Sequence, residues 1–172
     1  TFGGYHNFHA VIGQEAMRFS SQSTDTYSPV VDPNMPYHNT ADQTTTQISQ
    51  SFSEETMLSF FGIADYNYDN RIFVQGTIRE DGSSLFGADN KWGLFWSASA
   101  SWNIANEKWF KNNVEAVNLL KIRGSYGVNG NNGISPYKAY GLYGAAIYNG
   151  LTGYLPSQLE NRVLSWERNK TL

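Results

Sequence analysis

The sequence predicts an all-β fold, an antiparallel meander forming part of the wall of a transmembrane β-barrel. Three observations predict it: apolar and polar residues alternate with a period of two over long stretches, charge is scarce, and aromatic rings are abundant. Charged residues make up 16% of the 172-residue chain, against roughly 25% in ordinary soluble domains. There are 11 Tyr, 10 Phe and 5 Trp, with 16 Gly and no Cys. So many rings can bury enough surface to offset chain entropy, which argues against disorder. The lack of Cys excludes disulfides, thiolate metal sites and cysteine nucleophiles. A net charge of -3 gives no electrostatic ground for binding nucleic acid. No apolar run reaches the length of about 18 residues that a transmembrane helix needs, and no basic-then-apolar leader opens the chain. A membrane-crossing β-strand stays allowed, because it needs only alternation over about ten residues.

Five strands are expected. The first, 5–17, carries the weakest pattern. From 20 to 55 the chain holds acidic residues but no basic ones, and Pro29, Pro33 and Pro36 lie among many Ser, Thr, Asn and Gln. Such residues compete with ladder bonding, so this region reads as a long polar loop. The second strand, 58–68, alternates imperfectly and ends in a tight turn at Asp69-Asn70. In the third, 71–79, Ile72, Val74, Gly76 and Ile78 share one face, opposite Arg71, Phe73, Gln75, Thr77 and Arg79. The connection 80–91 follows, with Asp81-Gly82 as a turn signal. In the fourth strand, 92–104, the even positions are Trp92, Leu94, Trp96, Ala98, Ala100, Trp102 and Ile104. The odd positions are Gly93, Phe95, Ser97, Ser99, Ser101 and Asn103. A short helix is expected over 106–117, where Trp109, Phe110, Val114 and Val117 recur at helical spacing. The fifth strand, 120–128, opposes Leu120, Ile122, Gly124, Tyr126 and Val128 to Lys121, Arg123, Ser125 and Gly127. A second loop region, 129–161, contains Asn129-Gly130-Asn131-Asn132-Gly133 and Pro136. Strands joined by a tight turn are antiparallel.

A half-buried strand in a soluble sandwich alternates too, so a secreted β-sandwich carbohydrate-binding module is the alternative. Strand length favours the membrane, since sandwich strands usually run about 5 or 6 residues and bilayer strands about 9 to 11. Trp92 and Trp102 lie on one face, about 33 Å apart along an extended strand. At a tilt near 40° this becomes a height of about 25 Å, the spacing between the aromatic girdles of a membrane barrel. Residues 92–105 also carry no charge. Trp96, in mid-band, does not fit a girdle. Five strands cannot close a membrane barrel, because unpaired edges are forbidden in lipid; the chain is therefore expected to be a segment of something larger.

The stretch Ile78-Arg79-Glu80-Asp81-Gly82-Ser83-Ser84-Leu85-Phe86-Gly87, followed by Lys91-Trp92-Gly93-Leu94-Phe95-Trp96-Ser97-Ala98-Ser99-Ala100-Ser101-Trp102, resembles the SusC/RagA family of TonB-linked outer-membrane transporters. The family pattern is approximately R-x-D-G-S-S-x-F-G, a polar stretch, then G-x-F-P-S-x-S-x-x-W. The likeness continues through Glu107, Phe110, Leu120-Lys121-Ile122-Arg123-Gly124-Ser125-Tyr126-Gly127 and Asn129-Gly130-Asn131 to Leu164-Ser165-Trp166-Glu167-Arg168. Upstream, His9-Ala10-Val11-Ile12-Gly13-Gln14-Glu15 is similar to a family strand reading H-x-x-x-x-G-x-E. Trp96 departs from the family, which usually has Pro there. The resemblance implies a Gram-negative outer-membrane barrel of about 22 strands, of which residues 1–172 are a later part without the N-terminal plug. It also implies long extracellular loops, one short periplasmic helix, a SusD-type surface lipoprotein acting as a lid, and energy supplied through TonB. Oligosaccharides or peptides would be the cargo, and the function would be transport rather than catalysis, with no cofactor.

The residues expected to face lipid are Ile72, Val74, Ile78, Trp92, Leu94, Ala98, Ala100 and Trp102. Tyr137, Tyr140, Tyr143, Tyr148 and Tyr154 supply rings that can stack on sugars, although packing within a long loop is the plainer reading. Asp65-x-Asn67-x-Asp69-Asn70 imitates the start of a calcium loop, but its sixth position is Asn70 rather than Gly and its twelfth is Gly76 rather than Glu. His6, His9 and His38 show no zinc spacing, and no arrangement of acid, base and nucleophile emerges.

Overall fold

The computed structural model describes residues 3–28, 34, 47–114 and 116–172. Six strands form one sheet in the order β1-β2-β3-β4-β5-β8, and two more, β6 and β7, form a separate two-stranded sheet. The strands are β1 (His6–Tyr27), β2 (Gln47–Tyr68), β3 (Ile72–Ser83), β4 (Trp92–Asn103), β5 (Lys121–Asn131), β6 (Leu142–Tyr148), β7 (Leu151–Gln158) and β8 (Glu167–Thr171). The fold is thus antiparallel and all-β, but the described residues form eight strands rather than five, six of them in the main sheet.

The expected loop near 20–55 is strand over much of its length, because β1 runs on to Tyr27 and β2 begins at Gln47. Of the intervening residues, 29–33 and 35–46 lie outside the described residues, including Pro29, Pro33, Pro36 and His38. A strand whose two faces both carry Ser, Thr and Gln has no apolar alternation to reveal it, yet its backbone ladder forms equally well. Within the unit Arg18–Glu55, Arg18 pairs with Glu54 at 2.6 Å and the hydroxyls of Ser23 and Ser51 meet at 2.8 Å.

Asp69 and Asn70 make the expected tight turn. Both have positive φ, 50° and 54°, and the Arg71 N–H closes the turn on the Tyr68 carbonyl at 2.8 Å before Ile72 pairs with Tyr68. Asn67 closes it: its side-chain oxygen accepts from the Asn70 backbone N–H and its amide donates to the Asn70 side chain, each at 2.9 Å.

The connection 80–91 is shorter than expected because β3 continues through Asp81 and Gly82, which pair with Gly93 and Trp92 instead of turning. The region 129–161 also contains structure. β5 runs to Asn131, and β6 and β7 form a hairpin about Asn149-Gly150, with φ of 49° and 78°. The expected helix over 106–117 shrinks to a 3-10 turn, Ile104–Asn106, and one helical turn, α1 (Lys108–Lys111). Glu107 at its start gives no side-chain cap. The Asn113 amide then takes the Trp109 carbonyl at 2.6 Å, a local bond that competes with helix continuation.

Register decides which residues share a face. Ile72, Val74, Gly76 and Ile78 stand opposite Trp102, Ala100, Ala98 and Trp96. Trp102, Ala100, Ala98 and Trp96 stand opposite Ile122, Gly124, Tyr126 and Val128. On the other side of β3, Tyr68, Tyr66, Ala64, Gly62 and Phe60 meet Ile72 through Glu80. Over the residues paired across β2–β5, which in β2 are 57–68, the even face is therefore a continuous apolar field except for one charge, Glu80. The same register brings Asp65 beside Gln75, Thr77 beside Ser97, and Ser99 beside Ser125 on the odd face. The blurred pattern of the second strand is explained as well. Phe61 turns to the odd face, where its ring fills the space beside Gly13 and underlies the Arg79 guanidinium.

Candidate functional site

The odd face is a hydrogen-bonding surface. Gln75 donates to Asp65 at 2.7 Å, the hydroxyls of Thr77 and Ser97 meet at 2.7 Å, and His9 lies 3.5 Å from Asp65. His9, Asp65 and Gln75, with Ser99, Lys121, Arg123 and Ser125, line a concave groove of about 740 Å³. Lys121 rests its ammonium over the Phe73 ring, 4.5 Å from the centroid. Such a wall offers donors and acceptors to water or to a polar solute along its whole length.

The even face makes the opposite offer. Trp92 and Trp102 remain 49% and 41% exposed, with no second sheet layered over them among the described residues. A sandwich would cover those rings with a second sheet; among the described residues nothing covers them. Ile72, Val74, Ile78, Leu94, Ala98 and Ala100 share that uncovered face, and the Phe60 and Trp92 rings stack at 6.3 Å near one end of it.

At that end, where β3 passes into β4, the separate sequence motifs meet in one packed cluster. Arg79 binds Asp81 and also donates to Glu15 and to Ser59, each at 2.9 Å; Ser59 is fully buried. The Ser84 hydroxyl accepts from the Thr56 N–H, and the Ser84 N–H returns a bond to the Thr56 carbonyl. Leu85 and Phe86 then tuck inward until almost nothing of them is exposed. Trp166 packs on Phe86 at 4.7 Å and edge-on to Phe95 at 5.3 Å, while its indole N–H donates to the Lys91 carbonyl at 3.0 Å. Gly87 donates its N–H to the Leu164 carbonyl. A Cβ at Gly87 would lie 2.0 Å from the Arg162 carbonyl oxygen, and one at Gly130 2.1 Å from the Phe95 ring. Sequence reading placed Arg79 and Phe95 on the polar face but missed this convergence. The signal was their shared odd parity with Asp81, Ser83 and Asn129.

At the opposite end Glu107 is the hub. It accepts the Trp102 indole N–H at 2.9 Å and the Arg71 guanidinium at 3.2 Å, and Arg71 also pairs with Asp69 at 3.2 Å. The Asn106 amide reaches the Asn70 carbonyl at 2.9 Å. The Trp102 bond holds the Glu107 carboxyl below the usual carboxylate range; partial desolvation opposes it and Arg71 reinforces it.

The five tyrosines do not form one platform. Tyr137 and Tyr140 pair at 6.4 Å in the turn before β6, which Gln158 secures by donating to both their carbonyls. Tyr143 and Tyr154 share one face of the β6–β7 hairpin, while Tyr148, opposite Leu151, points to the other. The three hairpin rings are at least 71% exposed.

No protein-family model matches the chain. It is 33% identical over 153 residues to TonB-dependent receptor P39 of Formosa agariphila, an alignment covering 88% of this chain and 14% of that protein. TonB-dependent receptor P26 of the same organism is 36% identical over 136 residues, covering 77% and 14% respectively. TonB-dependent receptor SusC of Bacteroides thetaiotaomicron is 38% identical over 88 residues, 51% of this chain and 9% of SusC. Among solved structures, the RagAB peptide transporter superposes with a TM-score of 0.85 at 23% identity, over 99% of this chain and 19% of that one. The RagAB peptide importer in its open-open state gives 0.80 at 24% identity, with the same coverages. The chain spans about one seventh of the Formosa receptors it matches. The class defined by this two-faced meander is the wall of an outer-membrane β-barrel, as found in Gram-negative bacteria. Within that class the chain belongs to the SusC/RagA-like TonB-dependent receptors.

Two outcomes follow for the full-length receptor. Gly130→Ala should destabilise it by about 1–3 kcal/mol through overpacking, and Phe95→Leu should lessen that cost but leave the cost of Gly87→Ala unchanged, read as melting in detergent. Because the Glu107 carboxyl is depressed, its stabilising contribution is complete above the unfolded carboxylate value of about 4.3 and disappears as pH falls through the folded value. Glu107→Gln should therefore melt earlier than wild type near neutrality and converge with it in acid, as thermal scans at a series of pH values would record.

Proposed function

We propose that the even face of β2–β5 contacts membrane hydrocarbon, that the odd face lines a wet interior, and that the parent protein imports nutrients across the outer membrane. Register carries the proposal. Over their paired residues four neighbouring strands hold their apolar side chains in phase, and there only Glu80 places a charge among them. A charge within the hydrocarbon of a barrel's lipid face costs about 2–4 kcal/mol near the midplane, whereas a water-facing sheet has no reason to exclude Lys and Glu. The polar ladder from Asp65–Gln75 through Thr77–Ser97 gives the other face the chemistry of a passage.

The extremes of connection length support the orientation. The Asp69-Asn70 turn, the tightest connection of the six-stranded sheet, lies at one end together with the link 104–120, and the longest connection, 132–166, lies at the other together with 84–91. Outer-membrane barrels place short turns in the periplasm and long loops outside. Kinship with receptors named for TonB supports energy delivery through TonB. Kinship with SusC, together with likeness to a peptide transporter, supports a SusD-like lipoprotein lid and a cargo of oligosaccharide or peptide. The exposed hairpin rings Tyr143, Tyr148 and Tyr154 are the loop residues available to such a cargo.

In the full-length protein, Ala100→Arg should cost about 2–4 kcal/mol of barrel stability, while Ser99→Arg, one residue away, should assemble nearly as wild type. Heat-modifiable migration on gels reads both, and equal tolerance would remove the lipid-facing assignment. Deleting the gene should abolish uptake of one labelled class, oligosaccharide or peptide, and spare the other.

A further inference from the structure

We infer that the described residues of the link 104–120 form an interfacial anchor, seated on the phospholipid leaflet at their end of the sheet. The inference rests on the lipid-facing reading of the even face and extends it beyond the strands. Trp109 is 55% exposed and Leu119 72%, with Val114 and Val117 also uncovered. Lys108 and Lys111 flank Trp109 on α1, both are exposed, and neither pairs with a carboxylate among the described residues. Glu107 is already occupied by Trp102 and Arg71.

Uncovered apolar side chains beside lysines that are unpaired among the described residues suit one surface well. Tryptophan favours the headgroup level of a bilayer, and a lysine can lay its stem along apolar surface while its ammonium meets phosphate. Placement agrees with this chemistry. The last cross-strand row of the even face is Ile72, Trp102 and Ile122, and the link grows directly from that row. The Trp102 indole holds Glu107 at the start of the link, and the Ile104 N–H bonds the Leu120 carbonyl at its close. Apolar surface is thus continuous from the strands into the link, and the cations appear where the strands end. The occupant is an anionic phospholipid surface.

The test uses the full-length receptor in phosphatidylcholine vesicles containing phosphatidylglycerol, with one fluorophore-labelled cysteine at a time at Trp109→Cys, Ala100→Cys or Ser99→Cys. Lipids bearing a shallow or a deep nitroxide, and aqueous iodide, serve as quenchers. The expected result is quenching at 109 by the shallow nitroxide with shielding from iodide, quenching at 100 by the deep nitroxide, and no lipid quenching at 99. Lys111→Gln should shift partitioning of the 109 label away from the anionic surface about fivefold. If 100 keeps its lipid quenching while 109 answers to iodide alone, the anchor is overturned and the lipid-facing reading survives. Shielding of 109 from every quencher would mean that protein covers the link, which overturns the anchor too. Loss of lipid quenching at 100 would remove the reading beneath it.

Discussion

A pleated strand presents alternate side chains to opposite sides, so a slip of one residue between neighbours exchanges every side chain for its opposite. Four strands of this protein avoid any slip from Tyr68 and Ile72 through Trp102 to Ile122. Every other property of the sheet depends on that phase. Were β4 shifted by one position, Ser97, Ser99 and Ser101 would interrupt the apolar field and Trp96 and Trp102 would break the polar ladder. A two-sided wall needs no core in the globular sense, and among the described residues the large apolar side chains that are buried are Leu85, Phe86, Phe95 and Ile104.

The phase is secured at both ends by different chemistry. At the end bearing the longest connection, Arg79 ties Glu15 of β1 and Ser59 of β2 to Asp81 on its own strand, a charge-assisted network spanning three strands. Phe86, Phe95 and Trp166 complete it with ring packing. At the other end Glu107 joins Arg71, beside the β2–β3 turn, to Trp102 at the close of β4. Each fixture couples strands that adjacent-pair ladder bonds alone would leave independent.

Strands β3, β4 and β5 were legible because one of their faces is apolar and the other is not, which is the condition under which a period of two becomes visible. The outer halves of β1 and β2 failed that condition, since Ser, Thr and Gln occupy both faces. The β6–β7 hairpin was hidden differently. Asn149-Gly150 is a strong turn signal, but Gly144, Ala145, Ala146 and Gly153 around it are too small to show alternation. The helix was over-read because spacing alone says nothing of a missing cap or of Asn113 taking a backbone carbonyl. As for the sites, the membership of the even face could be read from parity alone. The meeting of Trp166 with Lys91 could not, because the two lie 75 residues apart and share no periodic pattern.

The excursion between β5 and β8 is held at both feet, through Asn131 bonded to Glu167 at one side and Leu164 and Trp166 bonded into the 84–91 connection at the other. What lies between those feet carries none of the wall's own bonding. That stretch can therefore be lengthened, shortened or exchanged as a cassette while the strands beneath it keep their own ladder.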